Sequence, residues 1–335
     1  MHESLDRALP PSGEFRSPII PAPYRRRDRT WLHVLLLLLT IASTTLMGAL
    51  HYWSFRNGFN ADPSAPLDFA SWAFYLPGLW YSATVLGILG CHEMGHYLAC
   101  RYYRVDVSLP FFLPAPPPVL SGTLGAFIRI RERIPSKIAL FDIGLSGPIA
   151  GFLVAVPTLF MGLELSAIER VPADFKGVEL GEPLLFRIAS WLVWGSLPDG
   201  MSINMHPMAF ASWFGLLATA LNLFPMGQLD GGHVTYALFG RRSSIVTIGT
   251  IVAAIGLSFV SMSWIVWTAM MVLMVVVMGP HHPATLDDET PLDRPRFILA
   301  GFGLLMLILC FTPAPISDLQ NIAASPSGSL REQGR

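Results

Sequence analysis

Charged residues are scarce in this sequence. Asp, Glu, Lys and Arg make up 13% of its 335 residues, against about a quarter in a typical soluble domain. Hydrophobic residues account for 52%, and the mean hydropathy is +0.50. This composition excludes an ordinary soluble protein and predicts a polytopic protein of the lipid bilayer. The net charge of −1 provides no basic field over the molecule, so we expect no nucleic-acid partner.

Cysteine is also rare. Cys91, Cys100 and Cys310 form no spaced pair, so the sequence predicts neither disulfides nor a cysteine-based metal site. We expect Cys91 and Cys100 to pack as small apolar residues. We expect no cleavable signal peptide either, because residues 1–30 mix charges with prolines and end in arginines before a full-length apolar run. We interpret residues 1–30 as a disordered basic arm.

Long apolar runs dominate the rest of the chain. Runs of about 17 residues or more are long enough to cross a bilayer, and the sequence predicts about seven. They cover residues 31–50, 71–100, 138–163, 207–239, 244–260, 263–278 and 297–311. The fourth run is too long for one clean crossing and contains Pro225, Gly227, Gly231 and Gly232. We therefore expect an all-α polytopic fold with a broken helix near residues 222–232.

Basic residues in the flanks set the expected orientation. Arginines precede the first and seventh runs and follow the second and fourth, whereas residues 164–205 are net acidic. This pattern places the N-terminus and residues 101–137 in the cytoplasm, and residues 164–205 outside. Within the outer segment, the sequence predicts a short interfacial amphipathic helix at Leu184–Trp194.

Two pieces between the second and third runs are not expected to be helical. Residues 109–118 are apolar but too rich in proline for a helix, and residues 121–130 indicate a turn followed by a strand. An apolar, non-helical loop beside a membrane helix is expected to dip into the bilayer if protein shields its backbone. The alternative is an apolar loop on the protein surface.

The second apolar run ends in the pattern H-E-x-x-H. His92 and His96 are four residues apart, so on a helix they stand one turn apart and can bind one ion. Glu93 lies beside them, where a carboxylate can take a proton from water at the metal. Ionisable side chains inside a membrane span are costly unless paired or metal-bound, so they indicate a functional site. The alternative is a pair of histidines hydrogen-bonded between helices.

A catalytic zinc site usually has three protein ligands and one open position. Asp142 is one candidate for the third ligand, but it lies close to the basic loop before the third run. Asp230 and His233 lie in the broken fourth run, and irregular backbone at membrane depth is expected only where it lines a cavity. Carboxylate and imidazole both suit zinc, so both stay open on these grounds. The remaining candidates lie at the ends of runs and are expected to face headgroups or solvent: His206, His281 and His282.

The two motifs together resemble the site-2 protease family of intramembrane zinc metalloproteases. The family signatures are HExxH, usually with glycine before the second histidine, and N-x-x-P-x-x-x-L-D-G. Residues 92–96 and 222–231 carry both without a gap. The run Gly147-Pro148-Ile149-Ala150-Gly151 also resembles the small-residue third core helix of that family. The resemblance covers about residues 71–240.

This resemblance implies the roles of five residues. His92, His96 and Asp230 would bind one Zn²⁺ per chain, and Glu93 would be the general base. Asn222 would steady the substrate backbone or the oxyanion; the alternative is a helix-breaking residue that satisfies carbonyls freed beside Pro225. The resemblance also implies a three-helix catalytic core, with residues 109–130 as a short re-entrant β-hairpin that helps to present the substrate.

The implied function is an intramembrane endopeptidase that cleaves transmembrane segments of other proteins. We expect a bacterial inner membrane, with the N-terminus and the active site towards the cytoplasm. The alternatives are a membrane zinc protease acting on soluble or extracted chains, and a transporter or scaffold with a structural metal. The interval 164–205 is too short for a PDZ domain and lacks the strand pattern. The expected divisions are residues 1–30 (arm), 31–70 (first span and external loop), 71–240 (protease core), 241–312 (additional spans) and 313–335 (disordered tail).

Overall fold

The computed structural model describes residues 29–60, 67–117, 119–172, 178–279 and 283–318. This part of the chain is mostly helical, and each predicted apolar run overlaps at least one of its helices. The helices are α1 (Thr30–Asn57), α2 (Trp72–Tyr75), α3 (Gly78–Tyr102), α4 (Lys137–Glu164), α5 (Leu184–Trp194), α6 (Pro207–Asn222), α7 (Asp230–Phe239), α8 (Ser243–Ser258), α9 (Ser263–Met278) and α10 (Arg294–Cys310). The expected arm lies outside the described residues, apart from its last two.

Among the described residues, three helical stretches are long and apolar enough to cross a membrane: Thr30–Asn57, Lys137–Glu164 and Asp230–Ser258. The last stretch joins α7 to α8 through a short 3-10 turn, where the sequence predicted two separate runs. Helix α3, which carries the HExxH motif, is not among the three. It packs against α1, α4 and α6. A helix enclosed in this way needs less apolar surface than one that faces lipid, so it can carry more polar residues.

Helix α4 lies between the other core helices and packs against α3, α6 and α7. Ser136 caps its first turn, where the Ser136 hydroxyl accepts a hydrogen bond from the Ala139 amide. Small residues allow close approach: a Cβ on Gly162 would lie 2.4 Å from the backbone nitrogen of Ala209 in α6. Such close packing holds membrane helices together where lipid removes the hydrophobic drive between them. The helices around the motif are therefore held at short range.

Large buried side chains fill the space between α3, α4 and α6. Those with less than 2% exposure include Tyr81, Val85, Leu159, Leu163 and Leu216. Cys100 and Cys310 are also fully buried, as expected of small apolar residues, whereas Cys91 is exposed. The prediction for Cys91 was wrong because its position on α3 points away from the neighbouring helices.

The segment between α3 and α4 forms a hairpin of two short strands. Strand β1 (Phe111–Pro114) pairs antiparallel with β2 (Thr123–Phe127), and Phe111 lies opposite Phe127. The pairing extends towards the helices through an isolated bridge between Val107 and Ile130. Strand β1 packs against α1, and β2 packs against α3. The hairpin therefore lies between the first helix and the helix that carries the motif.

Short strands also occur on the opposite side of the fold, where the sequence predicted none. Strand β3 (Ala167–Arg170) pairs with β5 (Met201–Asn204), and β4 (Val178–Leu180) pairs with β6 (Ile316–Asp318). The expected disordered tail 313–335 thus begins with ordered residues, and residues 319–335 lie outside the described part. The Trp264 indole donates a hydrogen bond to the Pro313 carbonyl at 2.7 Å. Non-local backbone pairing of this kind leaves no periodic signal in so short a segment.

A polar clamp joins the ends of three helices near the basic side. Arg296 on α10 donates to both carboxylate oxygens of Asp142 on α4, at 2.8 and 2.5 Å. Tyr103, just past α3, donates its hydroxyl to the same carboxylate. Burial, together with this hydrogen bond, raises the pKa of Tyr103 to about 12, so the hydroxyl stays a donor. Asp142 is therefore engaged in the clamp.

Candidate metal centre

Two helices bring the three predicted ligands together. His92 and His96 lie one turn apart on α3, and Asp230 is the first residue of α7. The Nε2 atoms of the two histidines are 3.1 Å apart. Oxygens of Asp230 lie 3.1 Å from His92 Nε2 and 3.2 Å from His96 Nε2. All three side chains have little solvent exposure. Together they form a group that could hold a metal ion.

The spacing of these atoms suits a tetrahedral ion with the bond lengths of zinc. Bonds of about 2.0–2.1 Å at the tetrahedral angle place neighbouring ligand atoms about 3.3–3.4 Å apart. The three observed separations of 3.1 to 3.2 Å are close to that edge length. Two imidazoles and one carboxylate also form a donor set typical of catalytic zinc, which needs three protein ligands and an open fourth position. The residues present fit such an ion.

The hydrogen bond behind His96 fixes which of its nitrogens faces the centre as an acceptor. His96 Nδ1 lies 2.6 Å from the Ile143 carbonyl on α4, and a carbonyl only accepts, so Nδ1 carries the proton. In the neutral ring, the lone pair on Nε2 then faces Asp230 Oδ1 at 3.2 Å. Two acceptors at that distance repel each other unless a cation lies between them. Carbonyl support of this kind is a common outer contact of metal-bound histidine.

Glycines on α4 leave room for the two histidine rings. A Cβ on Gly147 would lie 2.1 Å from His96 Nε2, and a Cβ on Gly151 would lie 3.1 Å from His92 Cβ. Close packing also requires the glycine inside the motif, because a Cβ on Gly95 would lie 2.5 Å from the Ser146 carbonyl oxygen. The small residues of both helices therefore let α3 and α4 cross closely enough to enclose the histidines.

The broken helix between α6 and α7 places Asp230. Residues 223–229 leave the helix, and α7 starts again at Asp230 after Leu229 in extended conformation. A Cβ on Gly231 would lie 2.0 Å from the Leu223 carbonyl oxygen, and one on Gly232 would lie 2.3 Å from the Gly227 carbonyl oxygen. Only glycines fit so close to the turn, which folds back on the start of α7. The carboxylate therefore enters the centre at a helix N-terminus, where negative charge is favoured.

Two further predicted residues lie next to these ligands. Glu93 is buried, with 6% exposure, and the main chain of Ile128 lies near its carboxyl group. Asn222, the last residue of α6, places its Nδ2 atom 3.4 Å from His92 Nε2. A carboxyl group and an amide donor thus flank the three ligand atoms. Such a set can bind a cation, move a proton and donate a hydrogen bond to a neighbouring oxygen.

The other candidates do not join this group. His233 is not part of the three-residue cluster; it lies one turn along α7, and its Cβ is 2.8 Å from where a Cβ on Gly144 would be. Asp142 belongs to the clamp with Arg296. His206 caps α6 by accepting a hydrogen bond from the Met208 amide. His281 and His282 lie outside the described residues.

Sequence reasoning missed the roles of Ile143 and Gly147. A backbone carbonyl such as that of Ile143 carries no side-chain signal, so no motif could have identified it. Gly147 was noted only as part of a small-residue run. Its spacing from Gly144 and Gly151, at three and four residues, places all three on one helical face, and that pattern does indicate a close helix contact.

Residues 80–263, more than half of the chain, match the sequence profile of Peptidase family M50. A relative named probable zinc metalloprotease EGY2, chloroplastic, from Arabidopsis thaliana is 29% identical over 259 residues, which cover 74% of this chain and 43% of the relative. The EGY1 protein of the same plant is 30% identical over 248 residues, covering 68% and 42%. EGY1 of Oryza sativa subsp. japonica is 34% identical over 161 residues, covering 47% and 27%. These matches span less than half the length of each relative. No solved structure matches the chain.

Proposed function

The chain belongs to peptidase family M50, and from this premise we propose that it is a zinc endopeptidase that cleaves membrane-embedded segments of other proteins. The names of the relatives, which describe probable zinc metalloproteases, support the choice of metal and reaction. The observation that carries the proposal is the meeting of His92, His96 and Asp230 within 4.8 Å, beside the buried carboxyl group of Glu93.

Each residue of the centre has one role in this proposal. His92 Nε2, His96 Nε2 and an Asp230 oxygen would hold Zn²⁺, which when bound would act as a Lewis acid and lower the pKa of water. Glu93 accepts a proton from the attacking water on a carboxylate oxygen and returns it to the leaving amine. The Ile143 carbonyl holds His96 in the tautomer that presents Nε2 to the centre.

Asn222 is proposed to position the substrate. Its amide nitrogen lies 3.4 Å from His92 Nε2, so a carbonyl oxygen bound at the centre lies within reach of the same N–H group. A donor aimed at the developing negative charge stabilises the transition state more than the ground state. Asn222 is the last residue of α6, directly before the broken segment that leads to Asp230.

The centre is proposed to lie within the membrane, nearer the basic side. Helices α1 and α4 are each long and apolar enough to span a bilayer, and both pack against α3. His96 precedes Arg101 by five residues, which places it roughly 7–8 Å along the helix axis from an interfacial charge. We propose about seven crossings, with α8, α9 and α10 completing the set. The N-terminus and the opening of the metal centre then face the basic side of the membrane.

Substrates are proposed to be transmembrane segments that unwind next to the hairpin. Peptide groups in a helix are hydrogen-bonded internally, so a strand-like conformation must form before attack. Strand addition to an exposed sheet edge stabilises such a conformation. Strand β2 leads directly to Ile128, whose main chain faces Glu93. We propose that the hairpin is membrane-re-entrant and guides the substrate backbone towards the centre.

The membrane compartment was expected to be a bacterial inner membrane. The relatives offer no support for that expectation, because their names place them in chloroplasts. We therefore propose an integral membrane protein, and we assign the basic side of the bundle to the compartment in which the cleaved fragments are released.

The test compares membrane proteomes of cells that express the wild-type protein or Glu93→Gln. We expect Glu93→Gln to keep its zinc and to accumulate uncut membrane substrates, because the amide cannot accept the proton. Glu289→Gln, an exposed carboxylate outside the centre, is the matched control and should behave as wild type. Cleavage at the wild-type rate by Glu93→Gln would refute the proposed chemistry. Accumulation of soluble proteins alone would instead favour a protease that acts on soluble or extracted chains.

A further inference from the structure

Polar side chains of α1 contact the main chain of the hairpin at three places. His33 Nδ1 lies 3.1 Å from the Pro110 carbonyl, Ser43 donates its hydroxyl to the Gly122 carbonyl at 2.7 Å, and His51 Nε2 lies 3.2 Å from the Leu120 carbonyl. Carbonyls only accept, so both histidine nitrogens are the donors. All three hydrogen bonds go to the backbone of the hairpin, and the His33 ring also packs against the Phe111 ring of β1, with the ring centroids 4.0 Å apart. They therefore fix its position.

These contacts extend along most of α1. Eighteen residues separate His33 from His51, which corresponds to about 27 Å along a helix axis, close to the thickness of a bilayer core of about 30 Å. The hairpin segment therefore follows α1 over nearly the whole depth that this helix can span. Side-chain donors that pair with loop carbonyls supply the internal partners that irregular backbone needs at membrane depth.

Gly122 brings the hairpin into direct contact with α1. It has a positive φ of 66°, a conformation that favours glycine. A Cβ at this position would lie 2.9 Å from both Met47 Cγ and the Ser43 carbonyl oxygen. Gly125 also has a positive φ, of 102°, but a Cβ there would meet nothing within 4 Å. The contrast shows that the space at Gly122 is restricted by α1 and not by the hairpin itself.

The same hairpin reaches the catalytic carboxyl group at its other strand. Strand β1 packs on α1, whereas β2 packs on α3 and continues to Ile128 beside Glu93. Tyr81 of α3 adds one more contact, because its hydroxyl donates to the Ser121 carbonyl at 2.9 Å. Helix α1 lies outside residues 80–263, the segment that matches the peptidase family. The element that fixes the hairpin is thus not part of the matched region.

We propose that α1 is a positioning element for the hairpin: His33, Ser43 and His51 hold the hairpin backbone in one register relative to Glu93, and this register sets how well a membrane substrate binds. The consequence for cleavage rests on the proposed function, whereas the positioning itself does not. His33, Ser43 and His51 are positioning residues, because they contact the hairpin and not the reacting atoms.

The first experiment measures amide hydrogen exchange of the hairpin in the zinc-loaded full-length protein in lipid nanodiscs. In the double variant Ser43→Ala with His51→Leu, we expect the amide hydrogens of residues 110–128 to exchange faster than in the wild type. The expected increase in rate is about five-fold for each lost hydrogen bond. The matched control is Ser82→Ala, which removes a buried contact between α1 and α3, from Thr44 to Ser82 at 2.7 Å, and touches no hairpin carbonyl. In a second pair, Gly122→Ala should speed exchange of the hairpin where it meets α1 more than Gly125→Ala does, because both substitutions strain a positive φ but only the first also meets α1. Hairpin exchange that stays at the wild-type level in the double variant would overturn the proposal.

The second experiment measures cleavage of a membrane-embedded model substrate by the same variants, with zinc content determined in parallel. We expect the double variant to keep its zinc and to raise KM about five-fold with kcat within about two-fold, the pattern of lost binding and not of lost chemistry. Ser43→Ala with His51→Gln, which restores one N–H donor, should recover part of KM. A fall in kcat at unchanged KM would overturn the positioning role. Absence of any cleavage by the wild type would remove the proposed function but leave the exchange result to decide the role of α1.

Discussion

Gly147→Ala is the sharpest perturbation of the candidate centre, because it adds one methyl group beneath a ligand and removes nothing. The new Cβ would lie 2.1 Å from His96 Nε2, 2.4 Å from Cε1 and 2.5 Å from Cδ2. Contacts between such atoms are optimal at about 3.5–4.0 Å. The ring must therefore move by more than about 1 Å, or the two helices must separate.

We expect this movement to weaken metal binding, because a zinc site tolerates only small changes in its ligand distances. Zinc–ligand distances vary by only about 0.2 Å around their usual values, so a displacement of about 1 Å removes His96 from the coordination sphere. It also breaks the 2.6 Å hydrogen bond to Ile143 that orients the ring. Loss of an outer contact alone costs about 10–100-fold in metal affinity. We expect Gly147→Ala to bind zinc more than about 100-fold more weakly and to lose cleavage.

Gly151→Ala is the matched control on the same helix, one turn away. Its new Cβ would lie 3.1 Å from His92 Cβ and 3.4 Å from the Ile88 carbonyl oxygen, so a shift of a few tenths of an ångström restores contact. The assay is zinc stoichiometry of the purified protein at buffered free zinc, with thermal unfolding to verify the fold. Equal zinc affinity in the two variants would refute the inferred packing of α4 against His96.

Three further variants test other parts of the structure. Asp230→Ala should lower zinc content in metal analysis of the purified protein, whereas His233→Ala should not; the reverse result would make His233 the third ligand. Asn222→Ala should keep its zinc and lose about 10²-fold or more in kcat, the cost of removing one oxyanion donor; loss of stability without loss of kcat would make it a structural residue. Asp142→Asn should lower the Tm in a thermal melt by several degrees, because it weakens a bidentate, half-buried ion pair with Arg296. Asp293→Asn, whose carboxylate is half exposed and whose replacement still caps α10, should change the Tm little.

The sequence was informative about the chemistry because the residues that carry it are rare in such a chain. Three ionisable side chains within five residues are unusual at the end of an apolar run, and residues 207–240 contain no Asp, Glu, Lys or Arg other than Asp230. The paired motifs predicted the site-2 protease family, and the match over residues 80–263 confirms that family. Long apolar runs likewise predicted the helices, because apolar runs of this length have few other stable conformations in a membrane.

Other features depend on contacts between residues far apart in the chain. The sequence left Asp230 and His233 as rival ligands, and the turn at residues 223–229 places Asp230, and not His233, in the cluster with the two histidines. The strand pairs β3–β5 and β4–β6 were missed because segments of three or four residues show no usable periodicity.

The sequence by itself determined the class of the protein, its family and the residue types able to bind a metal. Composition and motif spacing are local properties, and local properties can be read without coordinates. Only the tertiary structure decided which candidate ligand lies beside the two histidines, that Gly147 leaves room for His96, and that side chains of α1 donate hydrogen bonds to the hairpin. These three features depend on how closely the helices cross and on which backbone carbonyls face the side chains. Distances between segments that are remote in the sequence are fixed by packing.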